Sequence, residues 1–280
     1  MFYHQLRAEL WKLFGKKRTY IGFAMFLATQ AFIILWLRFR PSHRLELAHR
    51  LELMGYTPDQ FITAMTISLI MIIPMAVLLL PLYATLIGGD LVAKEAEDGT
   101  LRMILSRPVS RLRLLTVKWL AGAIFSIVLT VALGAFGLGF ASLFFPNGGL
   151  FFFLPQEQLF SVFGPAEAWQ RYAGAISMLI LTTVTMTGLA WMFSCFNIKP
   201  AAATILAISF LFMFRILQEL EFFKELQPFM ITYHFRIWLD MLREPIPWWK
   251  VGESISILAA YNVTFFVIGT GAFQTRDIKS

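Results

Sequence analysis

Cysteine and histidine, which build disulfides and many metal sites, are scarce in this sequence. Its 280 residues include one cysteine, Cys195, and four histidines. A single thiol forms no internal disulfide, and its default role is that of a small apolar side chain. His43 and His49 lie six residues apart without a third ligand, which favours a solvated pair over a metal centre. We therefore expect no metal site.

Sequence motifs for nucleotide binding and for zinc-dependent catalysis are missing as well. The sequence contains no G-x-x-x-x-G-K-[ST] phosphate-binding loop and no H-E-x-x-H zinc motif. We therefore expect no catalytic residue, no cofactor bound by this chain and no nucleic-acid partner. Any ATP hydrolysis linked to this protein is expected in a separate subunit.

Charge is absent from six long apolar runs. The chain is 58% hydrophobic with a mean hydropathy of +0.67, which is more apolar than a water-soluble domain allows. A helix needs roughly 20 apolar residues to cross a bilayer, and the runs lack the alternation of a barrel wall. We predict an all-α polytopic membrane protein, one domain over residues 1–280, with spans at residues 19–37, 61–89, 119–145, 172–196, 200–217 and 254–273. The uncharged part of the fifth run ends at Phe214, so this span needs Arg215, Ile216 and Leu217 to reach the far side.

The lack of ionisable residues inside these runs also bears on function. Proton-driven carriers commonly use carboxylates within the membrane, so a carrier of that kind is disfavoured. Hydroxyl groups in the fourth run can line a polar pathway, although they more often bond to their own backbone or to a neighbouring helix. These possible pathway-lining residues are Thr182, Thr183, Thr185 and Thr187.

Two prolines, Pro74 and Pro81, lie seven residues apart in the second run. Proline removes a backbone donor and bends a helix. We expect a bend there, which serves either as a hinge or, more commonly, as a kink packed by its neighbours.

The segment before the first run, residues 1–18, has an amphipathic pattern. Leu6, Leu10, Leu13 and Phe14 fall on one stripe. The charged residues Arg7, Glu9, Lys12 and Lys16–Arg18 lie elsewhere. We predict an in-plane helix that leads into the first span; the alternative is a polar tail. A cleavable signal is not expected, because the run that follows is long and has no small-residue cleavage site.

The distribution of lysine and arginine predicts the orientation. With the amino terminus inside, the inner segments hold fourteen of the 24 basic residues, although four arginines in the first outer loop oppose the rule. We predict a multi-pass protein of the cell (plasma or inner) membrane with both termini cytoplasmic.

On the outer face, we predict an aromatic loop between the third and fourth spans. Residues 218–253 are predicted to form two short amphipathic helices, separated at Pro228.

Eight charged residues are concentrated in one stretch, Lys94–Leu114, on the predicted inner side. Leu101, Ile104 and Leu105 have helical spacing, Pro108 ends that short helix, and Ser110 can cap the next one. A solvated loop whose arginines meet lipid headgroups is the alternative. That alternative leaves the acidic residues at the front of the stretch unexplained.

The same stretch carries a family resemblance. The sequence GDLVAKEAEDGTLRMILSRPVSRLRLLTVKWLAG resembles the E…G-T-L…L-L…P-V-S-R…K signature of permease subunits of type-2 ATP-binding-cassette (ABC) exporters. The closing FQTRDI is similar to the aromatic–basic–Asp ending common in that family. The matching positions are Glu95, Gly99, Thr100, Leu101, Leu105, Pro108, Val109, Ser110, Arg111 and Lys118.

The resemblance implies a role for the charged stretch. In that family the segment between spans two and three is a coupling helix that docks into a separate ATPase subunit, which holds ATP and Mg²⁺. By resemblance, residues 94–107 form this helix, and a second permease copy, identical or different, completes the pathway among the membrane lipids. The implied ATPase-coupling interface consists of Glu95, Glu97, Asp98, Gly99, Thr100, Leu101, Arg107, Pro108, Ser110 and Arg111.

Two other functions stay open at this point. One is a membrane subunit that transmits force from ATP hydrolysis without carrying cargo. The other is an integral membrane enzyme, whose candidate side chains fit the polar faces of surface helices better. Those side chains are Glu219, Glu221, Glu225, His234 and Asp240. The resemblance favours the exporter.

Overall fold

The computed structural model describes residues 2–39, 45, 48–49, 51–53, 55, 57–106 and 110–275. This part of the chain is mostly helical, and it contains six helical segments long and apolar enough to cross a membrane. Each predicted run overlaps one of them, which confirms the polytopic helical fold. The six segments are Thr19–Phe39, Ala64–Glu97, Arg111–Ser142, Pro165–Ser194, Pro200–Glu219 and Trp248–Gln274.

The elements follow one another in a simple order. The first half contains α1 (Phe2–Phe14), α2 (Lys17–Phe39), α3 (Pro58–Phe61), α4 (Ala64–Pro74), a π-helical turn (Met75–Leu79), α5 (Leu80–Glu97), α6 (Thr100–Leu105) and α7 (Arg111–Ser142). The second half contains β1 (Leu150–Leu154), β2 (Leu159–Phe163), α8 (Pro165–Ser194), α9 (Pro200–Glu219), a 3₁₀ helix (Glu221–Phe229), α10 (Ile231–His234), α11 (Ile237–Asp240) and α12 (Trp248–Gln274).

Helix α8 lies at the centre of the bundle and packs against α5, α7, α9 and α12. Its side chains are apolar or hydroxyl-bearing on nearly every face, as expected of a helix surrounded by protein. Trp191 is fully buried and stacks on Phe266 with ring centroids 5.6 Å apart. A glycine allows the closest approach, because a methyl group at Gly88 would overlap the carbonyl oxygen of Thr187. The helix ends beside Cys195, which is also buried.

The predicted bend in the second span is a π-helical turn. Residues Met75–Leu79 form this turn, with Pro74 before it and Pro81 just after it. Because each proline lacks an amide donor, the regular hydrogen-bond ladder is broken on both sides of the turn. Val77 and Leu78 in the turn are exposed.

The loop between α7 and α8 contains a feature that the sequence analysis did not predict. Strands β1 and β2 form an antiparallel hairpin, with Leu150 opposite Phe163 and Leu154 opposite Leu159. The hairpin packs on the rest of the protein through Phe152, which meets Trp238 edge to face. The predicted aromatic loop is therefore an ordered two-stranded sheet.

The segment between α9 and α12 differs in detail from the two predicted helices. It has helical character, but it consists of the 3₁₀ helix followed by the two four-residue helices α10 and α11. Met230 is extended, with φ −83° and ψ 130°, and it separates the 3₁₀ helix from α10. The last span also begins earlier than predicted, at Trp248.

The helical bundle has two ends, which differ in the elements they contain. The hairpin end comprises β1, β2 and residues 220–247. The coupling end comprises α1, α6 and the helix ends next to them. The end of α12 also lies at the coupling end, because Arg111 at the start of α7 donates to the Gln274 carbonyl at 3.1 Å.

Candidate coupling site

A tight turn joins α5 to α6. The Asp98 amide donates to the Lys94 carbonyl at 2.9 Å, and the Gly99 amide donates to the Ala96 carbonyl at 3.3 Å. Gly99 has φ +73°. A Cβ added at Gly99 would meet no atom within 4 Å, so the backbone angle and not the available space requires glycine.

Helix α6 is short and amphipathic, as predicted. Leu101 is buried at 2% exposure and Ile104 packs against the core, whereas Met103 is 67% exposed. The Thr100 hydroxyl donates to the Glu95 carbonyl at 3.3 Å, which ties the start of α6 to the end of α5. The helix therefore packs its apolar face against the rest of the protein. Its opposite face, which carries Met103, is exposed.

The start of α7 is fixed by a cap. The Ser110 hydroxyl accepts from the Arg113 amide at 3.3 Å, as the sequence analysis expected of a residue before a helix. Arg111, which the resemblance assigns to the ATPase interface, bonds to the end of α12. Arg107 and Pro108, assigned to the same interface, lie outside the described residues.

Two acidic side chains at the end of α5 are on the surface. The carboxylates of Glu97 and Asp98 lie 2.7 Å and 3.1 Å from the Lys94 ammonium, and their side chains are 41% and 50% exposed. Exposed pairs of this kind contribute little to stability. The two carboxylates are therefore accessible to a second protein.

Glu95 has a different environment from Glu97 and Asp98. One of its oxygens lies 2.7 Å from the Lys118 ammonium, and Lys118 also lies 3.1 Å from a carboxylate oxygen of Glu9. Lys118 is fully buried. The resemblance implies that Glu95 forms or supports the docking joint, and in the structure it belongs to a largely buried ion-pair network beside α6.

Lys12 closes this network. Its ammonium lies 3.0 Å from Glu9 and 3.0 Å from Glu95. Two lysines and two glutamates thus join α1, α5 and α7 at the coupling end. Burial opposes the charged form of Glu9, but Lys118 and Lys12 outweigh it, so the pKa of Glu9 lies below 4.5. Burial also opposes the charge on Lys12, but Glu9 and Glu95 outweigh it and raise its pKa above 10.5.

The sequence analysis placed Glu9 off the apolar stripe of α1, but in the structure Glu9 is buried at 8% exposure. One sequence signal pointed to this burial. Glu9 lies one turn from Leu13 and next to Leu10, so it falls inside the apolar stripe of α1. Leu13 is buried, and Leu6, Leu10 and Phe14 pack against the core. A carboxylate on such a face needs a buried cation, and Lys118 supplies it.

The predicted pathway threonines are buried in helix contacts. Thr182, Thr183 and Thr185 donate to carbonyl groups one turn back in α8, at distances of 2.8 to 3.2 Å. Three of the hydroxyl groups also meet neighbouring helices. Thr187 lies 2.7 Å from Ser126, Thr183 accepts from Thr130 at 3.1 Å, and Thr185 accepts from Asn262 at 2.7 Å. These contacts agree with the packing alternative.

Two of the side chains considered for an enzyme, His234 and Asp240, are engaged in structural contacts. His234 contacts the Ser254 hydroxyl through Nδ1 at 2.9 Å and the Pro228 carbonyl through Nε2 at 2.7 Å. Asp240 pairs with Arg243 and Lys250 at 3.0 Å each. In the described part of the chain, no group of three or more His, Cys, Asp or Glu side chains is arranged to hold a metal ion.

Comparison with known proteins identifies the family. The family model described as "ABC-2 family transporter protein" matches residues 17–278. The chain belongs to this family. It is therefore an ABC transporter permease, a multi-pass membrane component, and the family implies partnership with an ABC ATP-binding subunit. A comparison with curated protein sequences finds no match.

Proposed function

We propose that this ABC-2 permease is the membrane-spanning half of an ATP-driven exporter. Two permease copies form the translocation pathway, and an ATP-binding subunit drives each of them through α6. The observation that carries this proposal is the attachment of α6. The helix sits on a glycine turn with exposed carboxylates, directly beside a buried ion-pair network.

The network makes the coupling end stiff. Removing one member of a buried ion pair leaves an uncompensated charge, which is strongly destabilising. Glu9, Glu95 and Lys118 therefore stay together when α6 is displaced. A displacement of α6 therefore moves α1, α5 and α7 as one unit. A flexible loop in the place of α6 would change its own conformation instead and would leave these helices where they are.

The remaining steps follow from this stiffness. ATP binding draws the two ATP-binding subunits together, and the α6 helices carry that motion into the spans. The permeases then expose the pathway to the outer side and release the cargo. The permease itself performs no bond chemistry, and it converts a movement of its partner into a rearrangement of its helices.

Charge reversal at the surface carboxylates tests the docking role. Glu97→Lys with Asp98→Lys should leave the permease folded and inserted, because both side chains are exposed. Binding to the ATP-binding subunit should weaken by roughly tenfold or more, because two attractive contacts become repulsive. The measurement is co-purification with that subunit, followed by ATP-dependent transport into inverted vesicles.

A matched control exists at the other end of the bundle. Glu221→Lys with Glu225→Lys reverses two exposed carboxylates at the hairpin end and should leave binding unchanged. Normal binding and transport in the Glu97/Asp98 variant would show that the carboxylates of the α5–α6 turn do not dock the ATP-binding subunit. Equal loss in both double variants would point to an effect of net charge alone.

A further inference from the structure

A cavity of about 470 Å³ lies at the hairpin end of the bundle. The π-helical turn of the second span, α8 and α9 form its walls, and the hairpin and residues 232–239 cover it. Its volume lies within the range of small-molecule sites in proteins. The predicted pathway residue Thr182 lines it.

The interior of this cavity is apolar. Ile73 and Val77 line it from the second span, Leu179 and Met186 from α8, and Leu211 from α9. Val77 is 67% exposed although it lines the cavity, so the cavity is open on the side of the π-helical turn. An apolar chain can therefore enter from that side.

Four charged side chains form a rim at one end of the cavity. Arg236 lies 2.7 Å from Glu157 and 3.8 Å from Glu219, and Arg215 lies 3.2 Å from Glu219. Arg215, Arg236 and Glu157 line the cavity directly. The four side chains are between 21% and 65% exposed, so the rim carries two positive and two negative charges that a ligand can reach.

We propose that this cavity binds a zwitterionic amphiphile, with its apolar tail inside and its head on the rim. A phosphate or carboxylate of the head pairs with Arg215 and Arg236, and a cationic amine pairs with Glu157 and Glu219. The inference rests on the proposed function and deepens it, because it names the class of substrate.

The charge balance of the rim selects this class. An anionic head that takes the arginines leaves two carboxylates without their cations, and a cationic head leaves two arginines without their anions. A zwitterionic head replaces each partner that it displaces. Partly exposed ion pairs contribute little to stability, so a ligand can replace one partner of each pair at little cost.

Binding of three matched probes to the full-length permease, without its ATPase, tests the inference. The probes are short-chain amphiphiles with identical tails and a phosphocholine, a phosphoglycerol or a trimethylammonium head. Native mass spectrometry from micelles measures the binding of each one. The phosphocholine probe should bind most tightly, and Arg236→Gln should weaken it by roughly tenfold, as loss of a charge-assisted contact does.

Two adjacent residues give a matched pair of variants that locates the site. Val77 lines the cavity and Leu78 does not, and both are exposed. Val77→Trp should reduce phosphocholine binding by at least roughly tenfold, because the indole fills the entrance. Leu78→Trp should leave binding unchanged.

Each result either supports or overturns the inference. Equal binding in the wild type and in Val77→Trp, or tighter binding of the phosphoglycerol or trimethylammonium probe, would overturn it. The outcome is separable from that of the proposed function. A failure of probe binding with intact ATPase docking rejects the substrate class alone, and lost docking with intact probe binding rejects the coupling proposal alone.

Discussion

At the scale of single residues, the buried ammonium of Lys118 has the largest predicted effect on stability. Replacing it in Lys118→Met removes the buried cation from Glu9 and Glu95 and leaves the two carboxylates with only the half-exposed Lys12. Loss of one partner from a fully buried pair costs about 3–5 kcal/mol in the free energy of unfolding, and because Lys12 remains we expect a loss toward the lower end of that range. We expect a clearly lower thermal unfolding temperature in detergent, measured by intrinsic fluorescence.

Two further variants check this prediction. Lys199 is exposed, so Lys199→Met should leave the unfolding temperature close to that of the wild type. Adding Glu9→Gln to Lys118→Met leaves Glu95 as the one carboxylate paired with Lys12 and should recover part of the loss. An unfolding temperature in Lys118→Met equal to that of Lys199→Met would contradict the role given to the network.

The His234 side chain should make stability depend on pH. Burial lowers its pKa below 6.5, although the Pro228 carbonyl and Glu253 partly oppose this shift. The His234 side chain therefore binds a proton more readily in the unfolded chain than in the folded protein. The stability that neutral His234 contributes is present above about pH 6.5 and is lost as the pH falls through the lower, folded-state pKa.

This pH dependence is measured as the difference between two proteins. The unfolding temperature of the wild type should fall more than that of His234→Gln when the pH is lowered from about 7.5 to about 5.5, on either side of the ordinary histidine pKa. His4→Gln changes an exposed histidine and should follow the wild type. Parallel curves for all three proteins would mean that folding leaves the pKa of His234 unchanged.

At the scale of elements, the turn between α5 and α6 determines how rigidly the coupling helix is held. Gly99→Val forces a β-branched residue to φ +73°, where an ordinary residue costs about 1–2 kcal/mol. We expect the turn to relax and ATP-dependent transport to fall, while insertion is kept. Gly99→Asn, which tolerates this angle better, should retain more transport.

A second glycine isolates the backbone effect. A Cβ at Gly164 also meets no atom within 4 Å, but its φ is −64°. Gly164→Val should therefore leave transport nearly unchanged. If both valine variants transport equally well, the positive φ of Gly99 has no part in coupling.

Local sequence signals predicted some elements and missed others for identifiable reasons. Leu101 and Ile104 are spaced by one helical turn, and Ser110 sits directly before α7, so α6 and the cap of α7 followed from neighbours in the chain. The hairpin was missed because its strands are short aromatic runs without alternation. Ser161 on β2 bonds to the Leu242 carbonyl, which is a contact between distant residues.

The ion-pair network was missed for the same reason. Glu9 and Lys118 are separated by 109 residues, and Lys12 and Glu95 by 83. Sequence spacing alone does not bring such residues together. The resemblance marked Glu95 and Lys118 as family positions without showing that they pair with each other.

At the scale of the whole molecule, long helices connect the two ends. Helix α7 has 32 residues and is therefore about 48 Å long, whereas the hydrocarbon core of a bilayer is about 30 Å thick. It starts beside the ion-pair network and ends near the hairpin. A tilt of α7 at the coupling end therefore displaces groups at the hairpin end.

The prediction at this scale concerns the number of permease copies in the assembled transporter. The proposed exporter contains two permease copies, and each adds 32.0 kDa to the complex. Mass measurement of the complex with its ATP-binding subunit should give a 2:2 stoichiometry, or one copy each of two related permeases. A stable 1:1 complex that is active in transport would contradict the proposed dimeric pathway.

Because Cys195 is buried, the proposed movement of the helices can be followed with introduced cysteines. A thiol must reach solvent as a thiolate to react, and Cys195 is fully buried. Cysteines introduced at Met103 and Leu78, both exposed, would therefore be modified preferentially by nitroxide reagents. The native sequence can thus carry a pair of spin labels, one on α6 and one on the π-helical turn of the second span, that reports their separation through a nucleotide cycle.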